Sequence, residues 1–300
     1  MLATFVIFLR EGVEASMIVA ILLAYLDRSG QRRHFRDVFA GVAAALVLAG
    51  GGGLAAYFTI RTYADSRVQT IFETVTYLLA AAVLTYMTFW MRSHARGLKG
   101  ELQGRANAVL ASRSDSAAAS AAAAAGEPGE GGELSRGARL GLALLAFQAV
   151  GREGVETVVF TLAIAFSSTQ RGGLLGGAAA GLTIAMVIAF VMYRLGHRIN
   201  VGRFFTIVGA LLMVFAAGLL VDAVQNAQEL GWLPGASHQL WHTGAVLNED
   251  SAIGDIAHSF FGYAQSPTLL QAVVYVLYLA CVLFAFFSVR QRLSGRAAAR

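Results

Sequence analysis

The sequence predicts an all-α integral membrane protein of seven transmembrane helices: two inverted three-helix repeats plus a seventh helix, with the N-terminus outside and the C-terminus cytoplasmic. Three observations predict it. Of 300 residues, 57% belong to the hydrophobic set and only 14% are charged, against roughly 25% charged in soluble domains. The apolar residues gather into runs of about twenty or more, the length a helix needs to cross a hydrocarbon core of ~30 Å. One charged pentapeptide occurs twice, each time inside such a run.

The runs are 2–26, 38–60, 71–91, 138–168, 173–195, 203–224 and 268–290. Pro128, Pro234 and Pro267 all fall between them, so no span carries the missing donor and kink that proline imposes. The first run lacks a basic n-region and holds Arg10, Glu11 and Glu14 in its middle, so it reads as a retained span and not a cleaved secretory signal. Basic residues orient the rest, because cytoplasmic loops are rich in Lys and Arg. The first, third and fifth connections and the tail hold seventeen of them, the second and fourth three (Arg61, Arg67, Arg171), and the sixth connection, 225–267, none. That alternation puts the start of the chain outside, and it makes the net charge of +5 a record of topology that points to no nucleic-acid partner.

The organisation expected is a first three-helix repeat at 1–91 and a flexible cytoplasmic linker at 92–137, rich in Ala, Ser, Gly and Glu over 114–133. A second, inverted repeat follows at 138–224, then an extracytoplasmic acidic and His-bearing loop at 225–267, and a seventh helix with a basic tail at 268–300.

The chemistry lies in Arg10-Glu11-Gly12-Val13-Glu14 of the first run and Arg152-Glu153-Gly154-Val155-Glu156 of the fourth. The first span runs inward and the fourth outward, so the repeat is inverted, and inverted repeats place a site near the midplane at their interface. At ~1.5 Å per residue, Glu11 and Glu14 lie roughly 14–20 Å into their span and Glu153 and Glu156 roughly 20–24 Å from Leu140. Glutamates at i and i+3 share a helix face, so two such helices can present four carboxylates around one point, and hard, highly charged cations prefer such oxygen ligands. Arg10 and Arg152 can reach Glu14 and Glu156 at i+4, leaving the ionised group at −2, attractive to a multivalent cation. Ionisable groups inside a membrane are costly and usually mark a transport pathway. The other reading is that they are Arg–Glu pairs that orient helix packing.

The twin Arg-Glu-x-x-Glu motifs in the first and fourth of seven spans resemble the oxidase-dependent iron permease family, and within it the bacterial Efe-type permeases of ferrous iron uptake. Further matching stretches are Phe72-Glu73, Thr88-Phe89-Trp90-Met91-Arg92, Ala216-Ala217-Gly218-Leu219 and Phe261-Gly262-Tyr263. The resemblance covers the chain except 101–135. It implies iron import across a bacterial cytoplasmic (inner) membrane: an extracytoplasmic oxidase or iron-binding partner oxidises ferrous ion and hands the ferric ion to the permease. The family's paired glutamates fall on Glu11, Glu14, Glu153 and Glu156, with Arg10 and Arg152 beside them, and Glu73 matches a further acidic position. Where bacterial relatives can carry His-Glu after the sixth span, this chain has Gln228-Glu229.

Glu73 opens a span that starts outside and Asp222 ends one that finishes outside, so both belong at the outer mouth, among the metal-binding candidates. Glu229, Glu249, Asp250 and Asp255 add an acidic surface that concentrates cations. His238 and His242, spaced i, i+4, and His258 permit an outer metal site if that segment is helical; a merely polar, soluble loop is the alternative. Trp232 and Trp241 read as interface anchors, and the glycines Gly50–Gly53, Gly172, Gly173, Gly176, Gly177 and Gly181 as packing positions for close helix approach.

Several classes drop out. A single cysteine, Cys281, excludes an intrachain disulfide framework and a cysteine-ligated zinc or iron–sulfur site. The only lysine is Lys99, so no phosphate-binding loop is present and ATP hydrolysis is not expected. All six histidines lie outside the runs or at their ends, which removes paired axial haem ligands within the bilayer. The expectation is a transporter and not an enzyme, with no permanently bound cofactor and with iron as cargo. Direct uptake of ferrous or another divalent ion, and a non-transporting scaffold held by Arg–Glu pairs, remain the alternatives.

Overall fold

The computed structural model describes residues 1–28, 32–64, 66–94, 104, 136–167, 172–195, 201–234, 239–244, 247–248 and 251–298. The described residues form α1 (Leu2–Arg28), a 3-10 turn (Arg32–His34), α2 (Phe35–Arg61), α3 (Arg67–His94), α4 (Arg136–Ser167), α5 (Gly172–Leu195), α6 (Val201–Glu229), α7 (Ala252–Phe261) and α8 (Leu269–Ala298). Each of the seven apolar runs falls on a long helix, with starts that agree to within a few residues. Most of the linker at 92–137 lies outside the described residues, as do His238, Glu249 and Asp250.

Four of these helices are long and apolar enough to cross a membrane: α2 with its preceding turn (Arg32–Arg61), α3 (Arg67–Met91), α5 (Gly173–Val191) and α6 (Phe204–Glu229). The apolar part of α8, Leu269–Ala285, is shorter. α1 and α4 have the length, 27 and 32 residues, but each carries Arg, Glu and Glu within one turn and a half. The helices that bear the motif are therefore the ones whose hydropathy is interrupted.

Burial ranks the helices. In α6, 61% of the most apolar stretch is buried, against 17% in α2 and 22% in α5. α6 is thus a central helix, and its Leu212, Phe215, Ala216 and Leu219 pack with Ile7 of α1, Leu84 of α3 and Phe160 of α4 in the main core. α2 and α5 instead show Leu46, Val47, Leu48, Phe58, Leu175, Met186, Val187 and Phe190 on the outside, an apolar exterior of the kind a bilayer covers.

The packing is crossed. α1 lies along α5, α2 along α4, and α3 along α6. Small residues set the first two approaches. A methyl group added at Gly12 would stand 2.8 Å from Ala185 Cβ, and one at Gly154 2.9 Å from Ala49 Cβ. Gly41 meets the carbonyl oxygen of Ala143, and Gly177 that of Met1, too closely for any side chain. Gly41→Ala and Gly177→Ala are therefore expected to destabilise the protein, by about 1–3 kcal/mol each as overpacked contacts do. Gly51, whose added Cβ would meet nothing within 4 Å, is the control: Gly51→Ala stabilises its helix by about 0.5–1 kcal/mol. Thermal unfolding in detergent measures all three, and equal midpoints for Gly41→Ala and Gly51→Ala would remove the close-packing argument.

The region after α6 departs from the loop expected there. α6 runs five residues past the apolar run, to Glu229, and α7 follows within 225–267. Ser251 caps α7 by accepting the N–H of Gly254, and Gly262, in the left-handed region at φ 67°, ends it. Phe260, Asp255 and Ser259 of α7 are buried, and Phe260 stacks on Phe215. Gly262 lies against the backbone of Gly218, where neither residue has room for a Cβ. At ten residues α7 is too short to span a bilayer and so left no hydropathy signal.

Candidate metal centre

The pentapeptides converge in part. One carboxylate oxygen from each of Glu11, Glu14 and Glu153 lies within 4.8 Å of the other two, and all three residues are buried. Helical spacing puts Glu11 and Glu14 on one face of α1; the close approach of α1 to α4 brings up Glu153. Four carboxylates were expected around one point, and the structure groups three. Glu156, one turn along α4, is outside this trio and pairs with Arg152, whose Nε lies 3.1 Å from its Oε1.

The two arginines have different surroundings despite identical sequence neighbours. Arg10 is 2% exposed; its Nη1 stands 3.2 Å from Glu11 Oε1 and its Nε 3.0 Å from Glu14 Oε1. Arg152 is 42% exposed. Its guanidinium lies 4.8 Å from the centroid of the Trp90 ring, in cation–π range, and its Nη2 donates to Met87 Sδ. Met87 and Trp90 sit three apart on one face of α3. Sequence reasoning had used Trp90 only as part of a matching stretch; its i, i+3 spacing from a methionine was the available signal. Arg10 thus neutralises one charge of the trio from within, while Arg152 is drawn aside onto α3, so the three carboxylates and one arginine carry −2 if ionised.

Several oxygens lack a hydrogen bond, although Glu11 Oε1 keeps its ion pair with Arg10. Both carboxylate oxygens of Glu11, Oε2 of Glu153 and Oε2 of Glu156 are buried without a hydrogen bond. Buried polar atoms without partners cost about 1–3 kcal/mol each, and more when charged. A small group of such oxygens facing one another is a donor set with vacant coordination capacity, of the hard-oxygen type that iron and other hard cations take.

With that geometry in place, likeness to known proteins decides the family. The family model described as "Iron permease FTR1 family" matches residues 1–294. The chain belongs to the iron permease FTR1 family. Relatives named ferrous iron permease EfeU include those of Escherichia coli O157:H7 and Shigella sonnei (strain Ss046), each 33% identical over 288 residues and 95% of both chains. The Yersinia pestis EfeU is 30% identical over 299 residues, covering 100% of this chain and 98% of that one. No solved structure matches the chain. The resemblance drawn from the motifs is thereby borne out, and the family with its long apolar helices makes this a multi-pass membrane protein of permease type.

The other candidates of this iron permease family member lie apart from the trio. Glu73 of α3 is half-buried and accepts from Gln69 Nε2 at 2.7 Å. Asp222 of α6 is buried, with His258 Nε2 of α7 at 3.7 Å, while His258 Nδ1 reaches the carbonyl of Tyr263. Residues 239–244 are not helical, so the i, i+4 reading of His238 and His242 does not hold; His242 bonds Ser266 Oγ instead. Trp232 and Trp241 are exposed.

Proposed function

We propose that this chain imports iron across the bacterial cytoplasmic membrane, binding the ion at Glu11, Glu14 and Glu153 with Glu156 as the adjoining carboxylate. The observation that carries the reading is the meeting of three buried carboxylates from both copies of the motif, in a member of an iron permease family. The ion is ferric, delivered by an extracytoplasmic oxidase or iron-binding partner, and Glu73 and Asp222 serve as outer-mouth acids on its way in. Iron is cargo and no cofactor is held permanently.

The same reading takes the chain as seven spans in two inverted repeats plus α8. The helix contacts support this. Met1 and Gly12 lie 142 residues before Ala143 and Gly154, and Gly41 and Ala49 lie 136 before Gly177 and Ala185. The contact of Gly41 with Ala143 is therefore matched by that of Gly177 with Met1, and Gly154 with Ala49 by Gly12 with Ala185. Each repeat packs its motif helix on the second helix of the other, which holds the two motifs at a common interface, where inverted repeats place their sites.

A second reading, direct import of ferrous ion, is favoured by the names of the relatives. One experiment separates the two: radioactive iron uptake into proteoliposomes, with ferrous and ferric forms supplied separately and with or without an imposed proton gradient. Uptake of ferric ion alone supports transfer from an oxidase. Uptake of ferrous ion without a partner supports the second reading, and uptake of neither at wild-type abundance overturns both.

A further inference from the structure

A cavity of about 560 Å³ opens beside the carboxylate trio, between α1, α2, α4 and α5. Its mouth lies between α2 and α5, where the lining residues Leu46, Leu54, Leu175 and Leu182 are also exposed on the apolar exterior. Its walls are almost wholly aliphatic and aromatic, and α2 contributes Gly50 and Gly53. Glu11 and Glu153 are the only acidic residues among its described lining residues, and three of their four carboxylate oxygens are buried without a hydrogen bond. It is thus a slot that faces hydrocarbon at one end and anionic oxygen at the other.

We infer that this cavity is a binding site for a lipophilic primary amine that enters from the bilayer, its alkyl chain between α2 and α5 and its ammonium on Glu11 and Glu153. At about 30 Å³ per heavy atom the cavity holds roughly eighteen, enough for a dodecyl chain and its head. The ammonium supplies three donors and a positive charge to Glu153 Oε2 and Glu11 Oε2, which no hydrogen bond satisfies, while Glu11 Oε1 keeps its ion pair with Arg10. An alcohol of equal length brings one donor and no charge, and a fatty acid brings a like charge. A plain acyl chain fills the slot but leaves the carboxylates against methylene groups, the arrangement that costs most. The site therefore selects amine over alcohol over carboxylate. Because the ammonium occupies oxygens of the proposed iron site, the amine also competes with iron; the binding itself does not depend on the transport reading.

The test uses the full chain in phosphatidylcholine nanodiscs with a photoactivatable dodecylamine bearing a diazirine on its chain, the labelled peptides being identified by mass spectrometry. Labelling is expected on α2 and α5 lining residues, with dodecylamine displacing the probe at least tenfold more effectively than dodecanol and dodecanoic acid least effective. Gly50 lines the slot, and a Cβ there would meet nothing within 4 Å, so Gly50→Trp fills the cavity without a clash at the backbone and is expected to lose the labelling. Glu11→Gln/Glu153→Gln is expected to keep the probe but lose the preference for amine over alcohol. Equal displacement by dodecylamine and dodecanol in the wild-type protein overturns the inference without any variant, and so does undiminished labelling of a well-folded Gly50→Trp. If the site labels as expected but the amine leaves iron uptake untouched, the amine site stands and the placement of iron on Glu11 and Glu153 falls.

Discussion

Glu153→Gln is expected to reduce iron uptake by more than about 100-fold, above the 10–100-fold typical of losing a group that merely supports a ligand, with normal amounts of folded protein in the membrane. Glu153 is the one contribution of α4 to the carboxylate trio, and the ion pairs of the two arginines go to Glu11, Glu14 and Glu156. Replacing it removes charge from the ion without stranding an arginine, so folding is spared while the cation loses a ligand. Glu11→Gln and Glu14→Gln are expected to abolish uptake too, with some loss of stability because Arg10 loses a partner. By sequence alone Glu156→Gln belongs with the other three. The structure ranks it below them, since Glu156 lies outside the carboxylate trio. Radioactive iron uptake normalised to the protein in the membrane measures all four. Wild-type rates for Glu153→Gln would sink the proposed site whatever Glu156→Gln does.

Arg10→Gln is expected to have the largest effect on stability, about 3–5 kcal/mol, the usual cost of removing one partner from a buried ion pair. Arg10 is 2% exposed and holds both Glu11 and Glu14; without it three carboxylates face one another with no internal counterion. Arg152→Gln removes a residue that is 42% exposed and is expected to cost far less. The sign of the cause can be checked by compensation: Glu14→Gln added to Arg10→Gln removes one of the stranded charges and recovers part of the loss. Folded yield and thermal midpoint in detergent report both steps. Equal midpoints for Arg10→Gln and Arg152→Gln would mean that burial does not distinguish the two arginines.

Much of the fold was legible because a membrane span needs a run of apolar residues whose length is set by the bilayer. The seven runs fall on seven long helices with ends shifted by a few residues, as at α6, which carries on to Glu229. α7 was not legible, because a ten-residue helix that buries Phe260 against Phe215 has neither the length of a span nor a loop composition. The i, i+4 ion pairs Arg10–Glu14 and Arg152–Glu156 were also legible, since they depend only on helical pitch. The difference between the arginines was not. It arises from Met87 and Trp90 on α3, which no local reading of the fourth run could bring beside Arg152.

The sequence by itself determined the seven long helices, the duplicated motif and the identity of the charged residues inside the apolar runs, because these follow from local pattern and spacing. Tertiary structure alone decided which carboxylates meet. The crossing of α1 and α4 groups Glu11, Glu14 and Glu153 and leaves Glu156 to Arg152. It also opened an apolar slot onto two of them, where glycines in α2 leave room that side chains would fill. Two identical pentapeptides came to differ in their surroundings for a physical reason: charge and burial at a buried site are set by what the neighbouring helices present, and α3 presents Trp90 and Met87 to Arg152.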